Sequence, residues 1–427
     1  MQTSRRQLLR GAAAISASAV SSPRAWSQAP APLQVFSHRV HKTVVSGAGG
    51  EVTAAFTQGT GAAVEWTTFD TGPLQERLFR EAALAETSID VGFIVNTQAV
   101  PRIASLFEPL DDLLAKDPID DPADVFPGLM NGMKVGGRTM AVPIRHASSG
   151  LHFNEEILAE RGFKVPPATV EELIEMARAC TYRRADGTQV AGFLMPGVTY
   201  PNVIDLARAW DGEFITQDFK LQAAEAPMIR AITTLRQLFE AGAFPRTFST
   251  ITTEDVATWM QTGRAAMCLQ SMGRNRIFND AQKSKFAGKI RTVAMPVSAT
   301  LKSRYDVAPA KVEFWGLVIP RNAKRKALSW KFIKAMLTKD ATLASAINGN
   351  GPVRASTYDD ARLKQLIPYS DEERRVLKLA RLPMPAFDNA TRAGDMFKEE
   401  AEAAVLGLKT PEAAMASLVE RVRPLLP

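Results

Sequence analysis

The sequence predicts an α/β protein of two lobes, and three observations support this. The chain has 427 residues, of which 46% are hydrophobic and 23% charged, a globular composition at a length typical of about two domains. From Leu33 onward, apolar strand-like segments alternate with helical ones, which is the pattern of parallel strands joined by crossover helices. No period of about 20 to 50 residues repeats, so a solenoid is not expected.

Three segments are predicted strands of the first lobe. They are Leu33–Phe36, Val64–Phe69 and Ile89–Val95. The third is almost wholly apolar, as a strand buried on both faces should be. Between the second and third, leucines with interleaved charges over residues 73–85 predict a helix that covers this sheet.

Helix-start patterns mark the second lobe and the end of the chain. Thr169 with Glu172 three residues later forms a capping-box pattern. Residues 327–337 carry a broad apolar stripe, and Thr410-Pro411 begins a last helix with proline at its first position. We expect the last two to be ordinary packing helices.

The N-terminus predicts export. Arg5-Arg6 precede apolar residues, a small-residue stretch follows over 11–20, and no acid occurs before Glu51, which is typical of a twin-arginine signal. We expect residues 1–27 to be removed and 28–32 to form a linker. A mobile basic arm or a single membrane anchor is the alternative. No cysteine follows the apolar run, so we expect a soluble periplasmic protein rather than a lipoprotein.

Charge and cysteines exclude other classes. The formal charge is +7, and removing the four arginines of the signal (7 − 4) leaves +3, which gives no support to nucleic-acid binding. Cys180 and Cys268 show no C-x-x-C spacing. We expect two buried thiols, with a disulfide as the alternative in an oxidising compartment.

Seven segments resemble, in order, motifs of the family 1 extracellular solute-binding proteins, the sugar-type receptors of ABC importers. One of them, Leu151-His152-Phe153-Asn154, resembles the family's "L-x-Y-N". His38-Arg39 and Gly273-Arg274 depart from positions where the family commonly has tryptophan, and these departures concern the ligand. The segments are Phe56–Gly61, Phe107–Asp112, Gly136–Pro143, Leu151–Leu173, Trp259–Met267, Phe314–Pro320 and Gly349–Arg354.

The resemblance implies the type II periplasmic binding protein fold, with hinge-linked lobes and the ligand in the cleft between them. It implies a monomeric receptor without cofactor or catalytic residues, which delivers a small molecule to the permease of an ABC importer. Crossings between the lobes are expected near 143–149, 296–312 and 348–356. The first lobe would comprise 33–145 and about 310–347, and the second 146–309 and about 348–427.

A sugar needs aromatic platforms and side chains with several hydrogen-bonding groups, and in an α/β sheet such groups lie at the carboxyl ends of strands. Trp210 and Trp315 are the preferred stacking residues, with core packing as the alternative for Trp210. The predicted ligand-binding residues are Ser37, His38, Arg39, Phe69, Asp70, Asn96, His146, Trp210, Asp211, Ser271, Arg274, Phe314, Trp315 and Arg354.

Four arginines lie at positions expected near the cleft, and they bear on whether the ligand is negatively charged. Arginine binds carboxylate or phosphate in bidentate fashion, so convergence of two or more would favour a sugar acid or a sugar or glycerol phosphate over a neutral oligosaccharide. They are Arg39, Arg145, Arg274 and Arg354.

Other readings remain open. The histidine pairs, His38 with His41 and His146 with His152, lack a third ligand at metal-site spacing, so no metal is expected. An exported glycan hydrolase would need paired carboxylates, which Asp70, Asp211 and Glu213 could imitate, but no G-x-S-x-G motif is present. A polyamine, iron chelate or thiamine-like ligand on the same fold is a third reading, which the basic residues disfavour.

Overall fold

The computed structural model describes residues 30–427, so the predicted signal peptide lies outside the described residues. The strands are β1 Leu33–His38, β2 Val64–Phe69, β3 Val91–Val95, β4 Lys134–Val135, β5 Arg138–Thr139, β6 Val142–Asn154, β7 Tyr182–Arg183, β8 Gln189–Leu194, β9 Ala265–Ser271, β10 Ile290–Val293 and β11 Val312–Val318.

The helices fill the intervals between strands and the C-terminal region. They are α1 Arg39–Thr43, α2 Ala54–Thr60, α3 Thr71–Ala82, α4 Pro101–Ala104, α5 Asp111–Lys116, α6 Pro127–Asn131, α7 Glu155–Glu160, α8 Val170–Ala179, α9 Tyr200–Ala207, α10 Ala226–Glu240, α11 Thr253–Thr262, α12 Asn275–Phe278, α13 Lys326–Met336, α14 Lys339–Ile347, α15 Ala361–Leu366, α16 Ser370–Leu379, α17 Ala390–Val405 and α18 Pro411–Val422. Over residues 30–427, none is long and apolar enough to cross a membrane.

The main sheet has the strand order β2-β1-β3-β11-β6-β9-β8-β7, with β10 also paired to β6. β1 runs parallel to β2 and β3, whereas β11 runs antiparallel to β3 and β6. The predicted strands are confirmed with small shifts at their ends. The first continues to His38, and the third begins at Val91 because Asp90 instead forms an ion pair with Arg325 (Nε to Oδ1, 3.1 Å).

The long strand β6 connects the two lobes. Its first half, to Ser148, pairs with β11, and from Ser149 onward it pairs with β9 and β10. At the junction, Ser149 N donates to the carbonyl of Lys311 (3.3 Å) and His146 N donates to that of Gly351 (3.3 Å). The three expected crossing segments therefore lie side by side.

Each lobe has its own hydrophobic core, as an independently packed layer architecture requires. The first core draws on residues 33–144 and 312–377, and the second on 151–308 and 384–422. Tyr358 and Leu363, beyond the limit expected near 348, belong to the first core, whereas Tyr369, just before α16, and Val376 within it pack with Met272 and Ala294 of the second lobe. The other lobe limits stay a prediction.

The predicted helix starts are confirmed. The Thr169 hydroxyl accepts a hydrogen bond from Glu172 N (3.1 Å), although the Glu172 carboxylate accepts from Ala168 N instead of the cap residue's own N–H. Thr410 likewise accepts from Ala413 N (3.1 Å). Cys180 and Cys268 are buried, free thiols, so the expectation of no disulfide holds.

Close packing of α8 on β8 depends on Gly192. A Cβ atom at this position would lie 1.6 Å from the carbonyl oxygen of Ala177. A glycine within a strand often marks such a close approach of two backbones. The helix therefore rests on the sheet at a distance that no larger residue permits.

Replacing Gly192 by alanine should lower the free energy of unfolding by about 1–3 kcal/mol, because the added methyl group overpacks this contact. Gly59→Ala is the matched control, since Gly59 is exposed on α2 with no atom within 4 Å of the added carbon, and it should raise stability by about 0.5–1 kcal/mol. Thermal or urea unfolding measures both. Equal effects of the two changes would contradict the packing account.

Candidate functional site

The paired strands β6 and β11, which lie where the chain crosses between the lobes, have one open and one covered face. Along β6, Arg145 and Ala147 are partly exposed, whereas His146 and Ser148 are buried. Along β11, Glu313 is exposed while Phe314 is fully buried. Since successive side chains of a strand point to opposite faces, Arg145, Ala147 and Glu313 share the open face.

Two helices cover the opposite face. A Cβ atom on Gly132, directly after α6, would lie 2.5 Å from the Phe314 ring, and the Ser148 hydroxyl donates to Glu373 Oε1 of α16 (2.8 Å). The face that carries Arg145 is therefore the floor of the space between the lobes. We call it the cleft floor: Arg145, Ala147, Glu313 and Trp315.

Aromatic rings cluster at the first-lobe end of the cleft floor. Trp315 lies opposite Arg145 in the strand register. Its ring centroid is 5.8 Å from that of His38 and 4.8 Å from that of His41, which stacks on Phe93 at 4.5 Å. The carboxyl end of β1 thus brings two imidazoles to the tryptophan, which gives a site with a flat apolar wall and adjacent N–H donors.

Arg145 carries the positive charge of this cluster. Its Nη1 is buried, and within residues 30–427 it has no hydrogen-bond partner; the same holds for both ring nitrogens of His41. Burial lowers the pKa of Arg145, and the charge of Glu313 opposes that shift. A guanidinium stays protonated in proteins, so the cleft floor holds a cation with unused donor capacity.

The two histidines are neutral at physiological pH. Burial, and then the charge of Arg145, hold the pKa of His41 well below its usual value of 6.5. Burial also lowers the pKa of His38, although Asp70 opposes the shift. Each neutral imidazole offers one N–H donor and one acceptor nitrogen, so the histidines add hydrogen-bonding groups without adding charge.

Glu313 lies at the other end of the cleft floor. Its side chain is solvent-exposed but surrounded by protein on several sides, and burial raises its pKa against the opposing charges of Lys311 and Arg145. Burial, and then the charge of Glu313, raises the pKa of Tyr200 of α9 to about 12, and the Tyr200 ring packs against Phe214 and Phe397 of the second lobe. Ser271 pairs with Ser149 and so also shares this face.

Ion pairs lie along the rim of the cleft. Arg39 and Asp70 pair at 3.5 Å, with both side chains 66% exposed. Arg102 of α4 pairs with Asp388 of the second lobe at 3.2 Å. Phe69 lies below the first pair, against Phe36 (5.3 Å). Of the predicted residues, the structure brings together His38, Arg39, Phe69, Asp70, Trp315 and, across the cleft, Ser271.

Several predicted residues are buried inside the first lobe instead. Ser37 and Phe314 have no exposed surface. Asn96 uses its Oδ1 to accept from Phe314 N (3.0 Å). Arg354 is also fully buried, with Nε donating to the carbonyl of Leu337 (2.8 Å). His146 lies on the covered face, with Nε2 3.0 Å from the Tyr358 hydroxyl. A ligand in the cleft could not touch these side chains.

The remaining predicted residues belong to the second lobe. Trp210 packs in its core with Nε1 3.4 Å from Glu171 Oε1, which is the packing alternative. Asp211 pairs with Arg304 (2.7 Å) and Arg381 (3.2 Å). Arg274 pairs with Glu254 (3.3 Å). Of the four arginines considered, Arg145 alone lies on the cleft floor and Arg39 on the rim.

The site contains residues that sequence reasoning missed. His41, Glu313 and Tyr200 were not among the predicted set, and on β6 His146 was chosen where Arg145 faces the ligand space. Strict alternation along a strand that crosses between lobes could have found Arg145 and Glu313, because both fall on the same side as Trp315 and Ala147.

A cavity of about 510 Å³ also lies between the lobes, but on the covered side. It is bounded by Gly132, which packs on Phe314, and by Arg208, Glu213 and Arg381. Arg208 and Glu213 pair with each other at 2.8 Å, so the cavity's charges are already compensated. In the described part of the chain, no group of three or more His, Cys, Asp or Glu side chains could hold a metal ion.

Comparison with known proteins gives the family. The family model described as bacterial extracellular solute-binding protein matches residues 51–368. The chain belongs to this family. A probable ABC transporter-binding protein of Deinococcus radiodurans is 21% identical to this solute-binding protein over 267 residues, which cover 61% of this chain and 62% of the relative.

Solved structures share the two-lobed fold of this solute-binding protein. The sugar-binding protein MalE of Xanthomonas citri superimposes with a TM-score of 0.79 at 22% identity, covering 92% of this chain and 96% of the other. A ribitol-bound ABC transporter solute-binding protein of Agrobacterium radiobacter K84 gives 0.72 at 19% identity, with 93% and 99% covered. The maltose-bound MalE3 of T. maritima gives 0.73 at 21% identity, with 93% and 100% covered. The predicted fold class is thereby confirmed.

The covered face predicts a pH dependence of stability. Glu373 is buried, and its carboxyl group accepts hydrogen bonds from the hydroxyl groups of Ser148 and Tyr358. The other titratable groups close to it are His146, which contacts the Tyr358 hydroxyl, and Tyr369. Burial raises the pKa of Glu373 from 4.5 to about 7. Between these values the folded chain keeps a proton that the unfolded chain has released, so the free energy of unfolding falls as the pH rises. The loss should be on the order of 3 kcal/mol.

Urea unfolding between pH 4.5 and 8 measures this effect in the wild type and in Glu373→Gln. The stability of the wild type relative to the variant should decrease as the pH rises through this window, whereas Glu420→Gln, which alters an exposed glutamate of α18, should keep the wild-type profile. A difference between wild type and Glu373→Gln that does not change with pH would refute the assignment.

Proposed function

We propose that this protein is a periplasmic substrate-binding protein of an ABC importer, of the family 1 sugar type. It captures a carbohydrate- or polyol-type ligand, a class that includes sugar acids and glycerol phosphate, and delivers it to the membrane permease. The observation that carries this proposal is the cleft floor, where Trp315 lies opposite Arg145 and two residues from Glu313 on the same face of β11. Such a combination suits C–H faces and hydroxyl groups at once.

The relatives support the ligand class. Proteins of the same fold are described as binding maltose, ribitol and D-mannitol, which are all rich in hydroxyl groups. The cleft floor has donors on Arg145 and acceptors on Glu313. Hydroxyl groups both donate and accept, so they can use each of these partners. A non-sugar small molecule on the same fold is the alternative.

Capture by lobe closure follows from the crossings. Three adjacent segments join the lobes at Ser149, Lys311 and Gly351, which is the geometry of a hinge. A ligand that contacts the cleft floor and a second-lobe residue such as Ser271 has more contacts when the lobes are closed. It shifts the equilibrium only by that difference in affinity, and closed lobes would then present the liganded form to the permease.

We propose a monomeric receptor without a catalytic role. The carboxylates considered for glycan hydrolysis are engaged by arginines: Asp211 and Glu213 both pair with Arg381, and Asp70 pairs with Arg39. A hydrolase needs one carboxylate with its pKa raised as acid and another free as base. Three carboxylates held by arginines do not offer that pair.

Binding of neutral sugars, alditols, sugar acids and glycerol 3-phosphate can be tested by thermal shift on the mature chain. A true ligand at 100 times its Kd should stabilise the protein by about 2.7 kcal/mol. Ala147→Trp should abolish this gain by filling the cleft floor, and Ala416→Trp, on the exposed side of α18, is the matched control.

Stabilisation that persists in Ala147→Trp, with a wild-type Tm in the absence of ligand, would place the binding site elsewhere. A parallel glycosidase assay addresses the hydrolase reading, since turnover without stoichiometric binding would overturn the receptor.

Export by the twin-arginine route is part of the proposal and concerns residues outside the described ones. Changing Arg5 and Arg6 together to lysine should abolish periplasmic accumulation, because lysine keeps the charge but lacks the guanidinium that the receptor reads. Cell fractionation with immunoblotting measures it, and Arg10→Lys is the control. Unchanged export of the double variant would point to another route.

A further inference from the structure

We propose that the ligand is a polyhydroxy carboxylate, whose carboxylate binds Arg145 and whose hydroxyl groups bind Glu313. This inference rests on the proposed receptor function and deepens it, because it assigns a charge and an orientation to the ligand. It follows from the polarity of the cleft floor, which is positive at one end and negative at the other.

Arg145 forms no ion pair within residues 30–427, which is unusual for a cation that is largely buried. Its Nη1 is buried without a partner anywhere in residues 30–427, and Glu313, the one acid that acts on its pKa, forms no ion pair with it within the described chain. Burial of a charge without counter-charge is costly. A ligand carboxylate would supply the counter-charge and two acceptor atoms for the guanidinium.

The surroundings of Arg145 strengthen the preference for an anion. His41 beside it is buried and neutral, so it does not compensate the positive charge of Arg145. Of the other arginines, Arg39 is engaged by Asp70 at the rim. Of the arginines of residues 30–427 that were expected near the cleft, only Arg145 therefore lies on the floor without an ion pair, and a single cation matches a carboxylate with one charge better than a phosphate with nearly two.

Glu313 fixes the orientation. Its carboxylate would repel that of the ligand, so the acid group lies at the Arg145 end and hydroxyl donors lie at the Glu313 end. Residues two apart on a strand are separated by about 7 Å, so Glu313 and Trp315 span the length of a short polyol chain. Ala147, opposite Glu313, leaves room on the floor, and Trp315 covers the C–H side of the ligand.

Matched ligand pairs test this directly. Calorimetry on the purified mature chain should compare five- and six-carbon aldonates with the alditols of the same configuration, for example D-gluconate with D-glucitol, which differ only in the terminal carboxylate. The aldonate should bind more tightly. Arg145→Gln should weaken aldonate binding by about 10- to 150-fold, as expected for loss of a charged hydrogen bond, and should weaken alditol binding by only about 2- to 10-fold, as expected for loss of a hydrogen bond to a neutral hydroxyl group.

Two further variants complete the experiment. Glu313→Gln should weaken hydroxyl contacts and so affect both members of a pair, and Arg291→Gln removes an exposed arginine of β10 that pairs with Glu155 and should change neither. Glycerol 3-phosphate with glycerol forms the phosphate arm.

The outcomes separate the two levels of the proposal. Alditols that bind as tightly as aldonates, with no effect of Arg145→Gln, would overturn the carboxylate inference and leave the receptor function standing. Preference for glycerol 3-phosphate alone would also overturn it, in favour of a phosphorylated ligand. No binding by any sugar, alditol, aldonate or phosphate would overturn both.

Discussion

The shared strand β6 is the constraint on which the rest of the structure depends. One continuous segment pairs with the first lobe up to Ser148 and with the second from Ser149, so its pleat decides for both lobes which side chains face the ligand space. A shift of one residue would exchange Arg145 for His146 and the open face for the covered one. Register, rather than any single contact, therefore specifies the site.

The two faces of this strand have opposite electrostatic character. On the covered face, Glu373 is buried with hydroxyl partners, and its raised pKa shows that the fold favours the neutral carboxyl. On the open face, Arg145 keeps its charge with part of its donor capacity unused. The covered face thus holds Glu373 among hydroxyl donors, whereas the open face holds a cation without an ion-pair partner in residues 30–427.

The fold was largely predictable, because β3 is a buried apolar run, β1 alternates buried with partly exposed residues, and the helix caps at Thr169 and Thr410 depend on local sequence alone. The site was only partly predictable. The rule that polar groups lie at strand ends selected His38, which lies beside Trp315, and Arg39 and Asp70, which pair with each other. It also selected Ser37 and Asn96, which point inward, since the rule gives the edge of the sheet but not the direction of a side chain.

The other misses arise from long-range partners. Arg354 is held by the carbonyl of Leu337, and Arg274 by Glu254, contacts that no local pattern reveals.

The ion pair of Arg102 with Asp388 joins the two lobes at the rim of the cleft. Its side chains are 64% and 58% exposed, and such pairs contribute about 0–1 kcal/mol, at most about a five-fold change in a conformational ratio. If the lobes close as proposed, a contact of this strength shifts the balance between the open and closed states of the empty protein by no more than this ratio, and added salt would alter that balance only slightly.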